Sequence, residues 1–232
     1  MENKNDFSFY LDNIEYNFNN REILKNLISK LNYKYPSSIQ EQILLSNKSL
    51  KKDNSQVICS VIQSELGTGK TIAYLIPLIQ NLNLSLENQI QAIIITPTRE
   101  LSLQTEEYIN KLEKIKYKIL IGGKTNIPGK IKKEKLDKKN IPTIIVGTLG
   151  KLREVLFQKK AKNYSKNFLK SLKCIIIDEA DKMLEQNKPP QNLFESFLLF
   201  LLNFIFNNTN NLNQNQNIKN IVLCSASFNK ET

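Results

Sequence analysis

VICSVIQSELGTGKTIAYLIPLIQN, residues 57–81, changes character twice. Val57 to Ile62 is a short apolar run rich in β-branched residues, and it predicts a strand. Ile72 to Leu82 carries apolar residues at helical spacing. Between them lies SELGTGKT, residues 64–71. A glycine turn joining a strand to a helix is the context a phosphate-binding loop requires. Gly67 and Gly69 let the backbone approach an anion and adopt dihedrals closed to other residues. Thr68 lies between them, so successive N–H groups and the helix N-terminus face one point. Lys70 then reaches the terminal phosphates, and the Thr71 hydroxyl is placed to coordinate Mg²⁺. The usual GxxxxGK[ST] pattern opens on Gly, whereas Ser64 stands here.

The same alternation extends outward in both directions. Ala92-Ile93-Ile94-Ile95, residues 118–121, Thr143-Ile144-Ile145-Val146, Cys174-Ile175-Ile176-Ile177 and Ile221-Val222-Leu223-Cys224 read as strands. Helices are expected over about 100–115 and 149–157 between them. Upstream, Ile23, Leu24, Leu27, Ile28 and Leu31 share a helical face, and residues 39–45 continue as a short helix after Pro36 and its serines. The apolar stretch 193–206 is expected as a helix buried under the last strand. Continuously apolar strands separated by helices imply a mostly parallel α/β sheet with helices on both faces. Residues 1–19 are polar and Asn-rich, and are expected to be a loose lead-in to one domain over 20–232. Residues 130–139 hold six lysines, and 207–217 is an Asn/Gln-rich segment expected as a surface loop.

Composition excludes several chemistries. The chain has 232 residues, no histidine and three cysteines (Cys59, Cys174, Cys224) far apart in sequence. A disulfide scaffold, a zinc finger and histidine acid–base chemistry are therefore out. No run approaches the roughly 18 apolar residues of a membrane span. The N-terminus lacks a secretory layout, so an intracellular protein is expected, with nucleus, nucleolus and cytoplasm not distinguished. The formal charge is +11, yet only Arg21, Arg99 and Arg153 are arginines. Abundant Lys, Asn and Ile also fit A/T-rich codon usage, so charge alone does not establish a nucleic-acid partner.

Asp178-Glu179-Ala180-Asp181 follows the strand at 174–177. A strand-end Asp is where a phosphate-loop NTPase holds Mg²⁺, and Glu179 is placed to polarise an attacking water. Taken together, these motifs resemble the DEAD-box family of ATP-dependent RNA helicases, and further family motifs follow in order from about Phe18 to the C-terminal end. That family is built from two RecA-like domains, and the resemblance covers the first.

The resemblance implies roles residue by residue. NYKYPSSIQ (32–40) is similar to the adenine-recognition motif, with Gln40 on the adenine edge and Tyr33 stacked on the ring; Tyr16 and Phe18 are candidates for an upstream aromatic. PTRELS (97–102) implies that Pro97, Thr98 and Arg99 lie along an RNA backbone, and Gly122-Gly123 resembles the RNA-proximal glycine pair. GTLGKL (147–152) stands where the family has TPGRL, implying RNA contacts through Thr148, Gly150 and Lys151; Leu149 replaces Pro, and Lys151 loses the planar fork of Arg. Ser225-Ala226-Ser227 stands for Ser-Ala-Thr, which with Asp181 couples the carboxylates to unwinding.

The implied protein binds ATP and Mg²⁺ through Ser64, Gly67, Thr68, Gly69, Lys70, Thr71 and Asp178. It is catalytic through Lys70, Asp178 and Glu179, and contacts RNA by phosphate and sugar. The family takes its arginine fingers from a second RecA-like domain in cis, so chain 1–232 is expected to be a nearly inactive monomer when alone. Two other readings compete. One is a stand-alone, non-catalytic RNA- or partner-binding module, favoured by the departures at Ser64, Leu66, Leu149 and Lys151. The other is a phosphate-loop ATPase acting on protein or DNA.

Overall fold

The computed structural model describes residues 5–13, 20–49, 57–65, 67–113, 115–122, 136, 140–156, 168–185, 193–207 and 219–226. Six strands form one sheet: β1 (Val57–Gln63), β2 (Ala92–Thr96), β3 (Tyr117–Leu120), β4 (Ile144–Thr148), β5 (Cys174–Ile177) and β6 (Lys219–Ser225). Their spatial order is β1-β6-β5-β2-β4-β3, and every pairing is parallel. Parallel neighbours need crossovers that place helices on the sheet faces. This explains why all of β2 and β5 is buried and why their sequences are continuously apolar.

Two apolar clusters flank the sheet. On one face, Ile94, Val146, Ile176 and Val222 meet α2 (Arg21–Lys30), α3 (Ser38–Ser49), α4 (Lys70–Asn81) and α5 (Arg99–Ile109). On the other, Ile93, Ile95, Ile145, Ile175 and Ile177 meet α6 (Leu149–Leu156), α7 (Ala180–Glu185) and α8 (Leu193–Asn207). Phe194, Phe197 and Leu201 of α8 are buried, but Leu199 is 56% exposed. The expectation of a buried helix at 193–206 therefore holds for one face, which packs, while the opposite face meets solvent.

The lead-in is also more ordered than its composition suggests. α1 (Phe7–Asp12) starts on Asp6, whose side chain accepts from the Phe9 N–H. Phe7, Tyr10 and Leu11 are buried against the α2–α4 cluster. The Phe7 N–H donates to the Lys34 carbonyl, and the Tyr10 hydroxyl donates to Glu41. Residues 14–19, and with them Tyr16 and Phe18, lie outside the described residues, as do Gly123, Ser227, the lysines of 130–139 and residues 208–217.

One glycine is fixed by packing. Gly147 in β4 lies opposite Leu120 in β3, and a Cβ there would stand 2.2 Å from the Leu120 carbonyl oxygen. Backbone cannot yield as a side-chain tip can. Gly147→Ala is expected to lower unfolding free energy by about 2 kcal/mol; an unchanged urea midpoint would contradict the register.

Candidate functional site

The sheet brings the sequence motifs to one edge. Ser64 follows β1, Ser225 ends β6, Asp178 follows β5, Pro97 follows β2, Thr148 ends β4, and Gly122 lies just past β3. All sit at the carboxyl ends of parallel strands, where open α/β sheets place their ligand crevices. Strand order also sorts them. The loop, Ser225 and Asp178 occupy the β1-β6-β5 half, whereas Pro97, Thr148 and Gly122 occupy the β2-β4-β3 half.

Gly67 (φ +78°) and Gly69 (φ +88°) are left-handed, as the turn into α4 requires. The Ser64 hydroxyl pairs with Thr68, and Thr68 Oγ1 donates to the Glu65 carbonyl at 2.7 Å. Lys70 Nζ lies inside this curl, donating to the carbonyls of Ser64 and Glu65. Ser64 thus serves the turn through its hydroxyl and carbonyl, and its N–H donates to Ser225 O at 3.2 Å.

Gln40 is 3% exposed and bridges two segments. Its Oε1 accepts from the Ser37 N–H at 2.9 Å, and its Nε2 donates to the Gly69 carbonyl at 3.1 Å. A Cβ on Gly69 would stand 2.2 Å from Gln40 Nε2, so a side chain there would displace the Gln40 amide from its bond to the Gly69 carbonyl, while the left-handed φ is what demands glycine. Tyr33 is 39% exposed and lies near Tyr108 of α5. Among the described residues no hydrogen bond joins Tyr33 to the loop.

Asp178 is buried at the end of β5, its N–H donating to Ile95 O at 2.9 Å. Its Oδ1 accepts from the Glu179 N–H at 3.0 Å, and its Oδ2 accepts from the Tyr74 hydroxyl at 3.1 Å. Burial outweighs these donors and pushes the Asp178 carboxyl up to about 6. The Tyr74 phenol is driven well above its ordinary value, first by burial and then by the Asp178 charge. The next residue, Glu179, has φ +50°, whereas the other non-glycine residues with positive φ among the described residues are all Asn. Left-handed backbone at a Glu is strained, and such strain collects at functional sites. Its carboxylate pairs with Lys182 at 2.9 Å. Asp181 Oδ1 is buried with no partner among the described residues, on a helix that packs against β6.

In the other half, the Thr98 side chain caps α5, accepting from the Leu101 N–H at 3.2 Å. Arg99 Nε and Nη2 are buried without a partner among the described residues. Lys151 forms an ion pair with Glu154 at 3.1 Å on its own helix. Gly122 and Gly150 have nothing within 4 Å of a built Cβ, so packing does not demand glycine at either.

Sequence reading passed over Tyr74 and Thr105, which meet beside Asp178. The available signal was spacing: Tyr74 stands three residues after Thr71, on the same helix face.

An all-parallel sheet with a GKT loop after its first strand and a carboxylate at the end of a neighbouring strand defines a RecA-like phosphate-loop domain. The family model described as DEAD/DEAH box helicase matches residues 37–232, and the chain belongs to that family. The chain is 36% identical over 160 residues to the ATP-dependent RNA helicase CshA of Limosilactobacillus reuteri, covering 68% of this chain and 28% of that protein. It is 35% identical over 178 residues to the DEAD-box ATP-dependent RNA helicase CshB of Bacillus cereus, covering 74% and 36%. Among solved structures, Dbp5 of S. cerevisiae bound to RNA and ADP BeF3 aligns with a TM-score of 0.61 and 26% identity, covering 90% of this chain and 45% of that one. A DEAD box protein from Methanococcus jannaschii gives 0.61 and 28%, covering 93% and 50%. The chain thus spans about a third of the length of these curated relatives. No helix among the described residues is long and apolar enough to cross a membrane.

Proposed function

We propose that this chain is the ATP- and RNA-binding half of an ATP-dependent RNA helicase. When joined to a second RecA-like domain it would couple ATP hydrolysis to duplex unwinding or remodelling of RNA–protein complexes. The observation that carries the reading is the division of the sheet edge, with the phosphate loop and Asp178 on one side and Arg99 on the other. The relatives named above are ATP-dependent RNA helicases, and Dbp5 is described bound to RNA and ADP BeF3.

The residues fit MgATP. The loop curls around a cation, Lys70 Nζ, that satisfies itself on the loop's own carbonyls. A polyphosphate offers that cation a better partner. Thr71 and Asp178 are hard oxygen donors, and the Asp178 carboxylate is held by the Tyr74 phenol one turn beyond Thr71. Among the described residues no group of three or more His, Cys, Asp or Glu side chains could hold a metal ion. Mg²⁺ suits a site of one carboxylate, one hydroxyl, water and phosphate. When bound, it would neutralise charge developing on the phosphates.

The chain's own residues would act as follows. Lys70 and the loop amides hold the phosphates, and Gln40 reads the adenine edge, with Tyr33 available to stack. Glu179 directs water once its carboxylate leaves Lys182. Pro97, Thr98, Arg99, Gly122, Gly123, Thr148, Gly150 and Lys151 face the RNA backbone, while Asp181, Ser225 and Ser227 connect the two halves. Lys70 is the cation held within the loop, whereas Arg21 lies by the Asp12 and Asn13 carbonyls. With the arginine fingers of this family supplied by the second domain, turnover by residues 1–232 alone should be slow.

Base selectivity tests the reading. The chain should bind ATP about tenfold more tightly than GTP in competition fluorescence, and Gln40→Ala should reduce that preference to near unity. Equal affinity of the unaltered chain for both nucleotides would instead favour a phosphate-loop ATPase acting on protein or DNA.

A further inference from the structure

Tyr74 is fully buried on α4, one turn beyond Thr71. Its neighbours on that helix, Ile72, Ala73, Leu75 and Ile76, are aliphatic. Packing alone would be served by phenylalanine, because a buried hydroxyl without partners is costly. This hydroxyl has two. It lies 3.1 Å from Asp178 Oδ2 and 3.3 Å from Thr105 Oγ1.

Counting protons orders these bonds. An ionised carboxylate has no proton to give, so the single phenolic proton goes to Asp178. The Thr105 hydroxyl then donates to the phenol oxygen. Thr105 shares its proton with the Leu101 carbonyl, 2.9 Å away. With the Glu179 N–H on Oδ1, each Asp178 oxygen is fixed by one donor and keeps lone pairs free.

We propose that Tyr74 is the positioning residue of the nucleotide–metal site, fixing the Asp178 carboxylate from behind and tying it to α5 through Thr105. The inference rests on the reading of Thr71 and Asp178 as the Mg²⁺ side of an ATP site. It adds a physical link between the two halves of the sheet edge. α5 begins at Arg99 in the RNA-facing half, and its Thr105 reaches the metal-binding carboxylate through one phenol. Groups that orient metal ligands from behind typically change metal affinity about 10–100-fold when removed.

The experiment uses chain 1–232 and a fluorescent ATP analogue, titrated with Mg²⁺ and with excess chelator. The quantity read is the gain in nucleotide affinity that Mg²⁺ confers. Tyr74→Phe keeps the ring and its packing, and should cut that gain about tenfold while metal-free affinity stays within about twofold. Thr105→Val, which leaves the phenol in place, should cut it less and in the same direction. An undiminished gain in Tyr74→Phe would overturn the proposal. So would a parallel fall of metal-free affinity, the signature of a generally loosened loop. An unaltered chain showing no Mg²⁺-dependent gain would overturn the site reading beneath it, a result distinct from either.

Discussion

Asp178→Asn should make the ligand-free domain more stable at pH 8 by about 2 kcal/mol while weakening MgATP binding on the order of 100-fold. The first effect follows from where the carboxylate sits. Burial raises its proton affinity from the ordinary 3.8 to about 6, despite donors from Tyr74 and Glu179. A carboxyl whose folded value exceeds its unfolded value binds its proton more tightly in the native state. Its contribution to stability is therefore full below about pH 4 and is lost as pH rises through about 6. At neutral pH the lost stability amounts to about 3 kcal/mol. Asn carries no charge to bury and escapes the loss, although its amide must accommodate two facing donors, which lowers the gain. The difference in unfolding free energy between variant and parent should shrink toward zero as pH falls from 8 to 4. A variant no more stable than the parent at pH 8 would mean that Asp178 is not charged at a cost. The second effect has the same origin: the charge that destabilises the empty domain is the one a divalent cation requires.

The architecture was legible for a simple reason. A strand covered on both faces must be apolar at every position, and 92–95, 144–146 and 174–177 are. The loop was equally plain, because Gly67 and Gly69 occupy backbone that few other residues tolerate. α1 was hidden: it is six residues long, and its order comes from distant partners, Lys34 and Glu41, that no local pattern announces. Tyr74 was hidden differently. In a helix read for apolar spacing an aromatic counts as core, and only the positions of Asp178 and Thr105 show what its hydroxyl reaches. The strain at Glu179 and the orphaned donors of Arg99 belong to the same class. They are costs set by surroundings, and they gather where the sequence motifs end.

Arg99 gives the second large effect. Arg99→Met should stabilise the ligand-free domain by about 1–2 kcal/mol and weaken single-stranded RNA binding about tenfold. Two of its guanidinium nitrogens, Nε and Nη2, are buried with no acceptor among the described residues. Each such donor costs about 1–3 kcal/mol relative to its solvated state. The residue also opens α5, where the helix dipole disfavours a cation. Met keeps the aliphatic stem and drops both penalties. A phosphate would satisfy the same donors, and the Thr98 cap leaves the end of the helix facing it. Removing one phosphate contact should lower the slope of log affinity against log salt by about one unit, uniformly across RNA sequences. The stability gain and the shallower salt slope should appear in the same variant. RNA binding lost without any gain in stability would place the phosphate contact elsewhere along β2-β4-β3. A gain in stability with RNA binding intact would make Arg99 a structural liability with no ligand. Both effects together would show that the empty domain holds a cation at the head of α5 because RNA completes its hydrogen bonds.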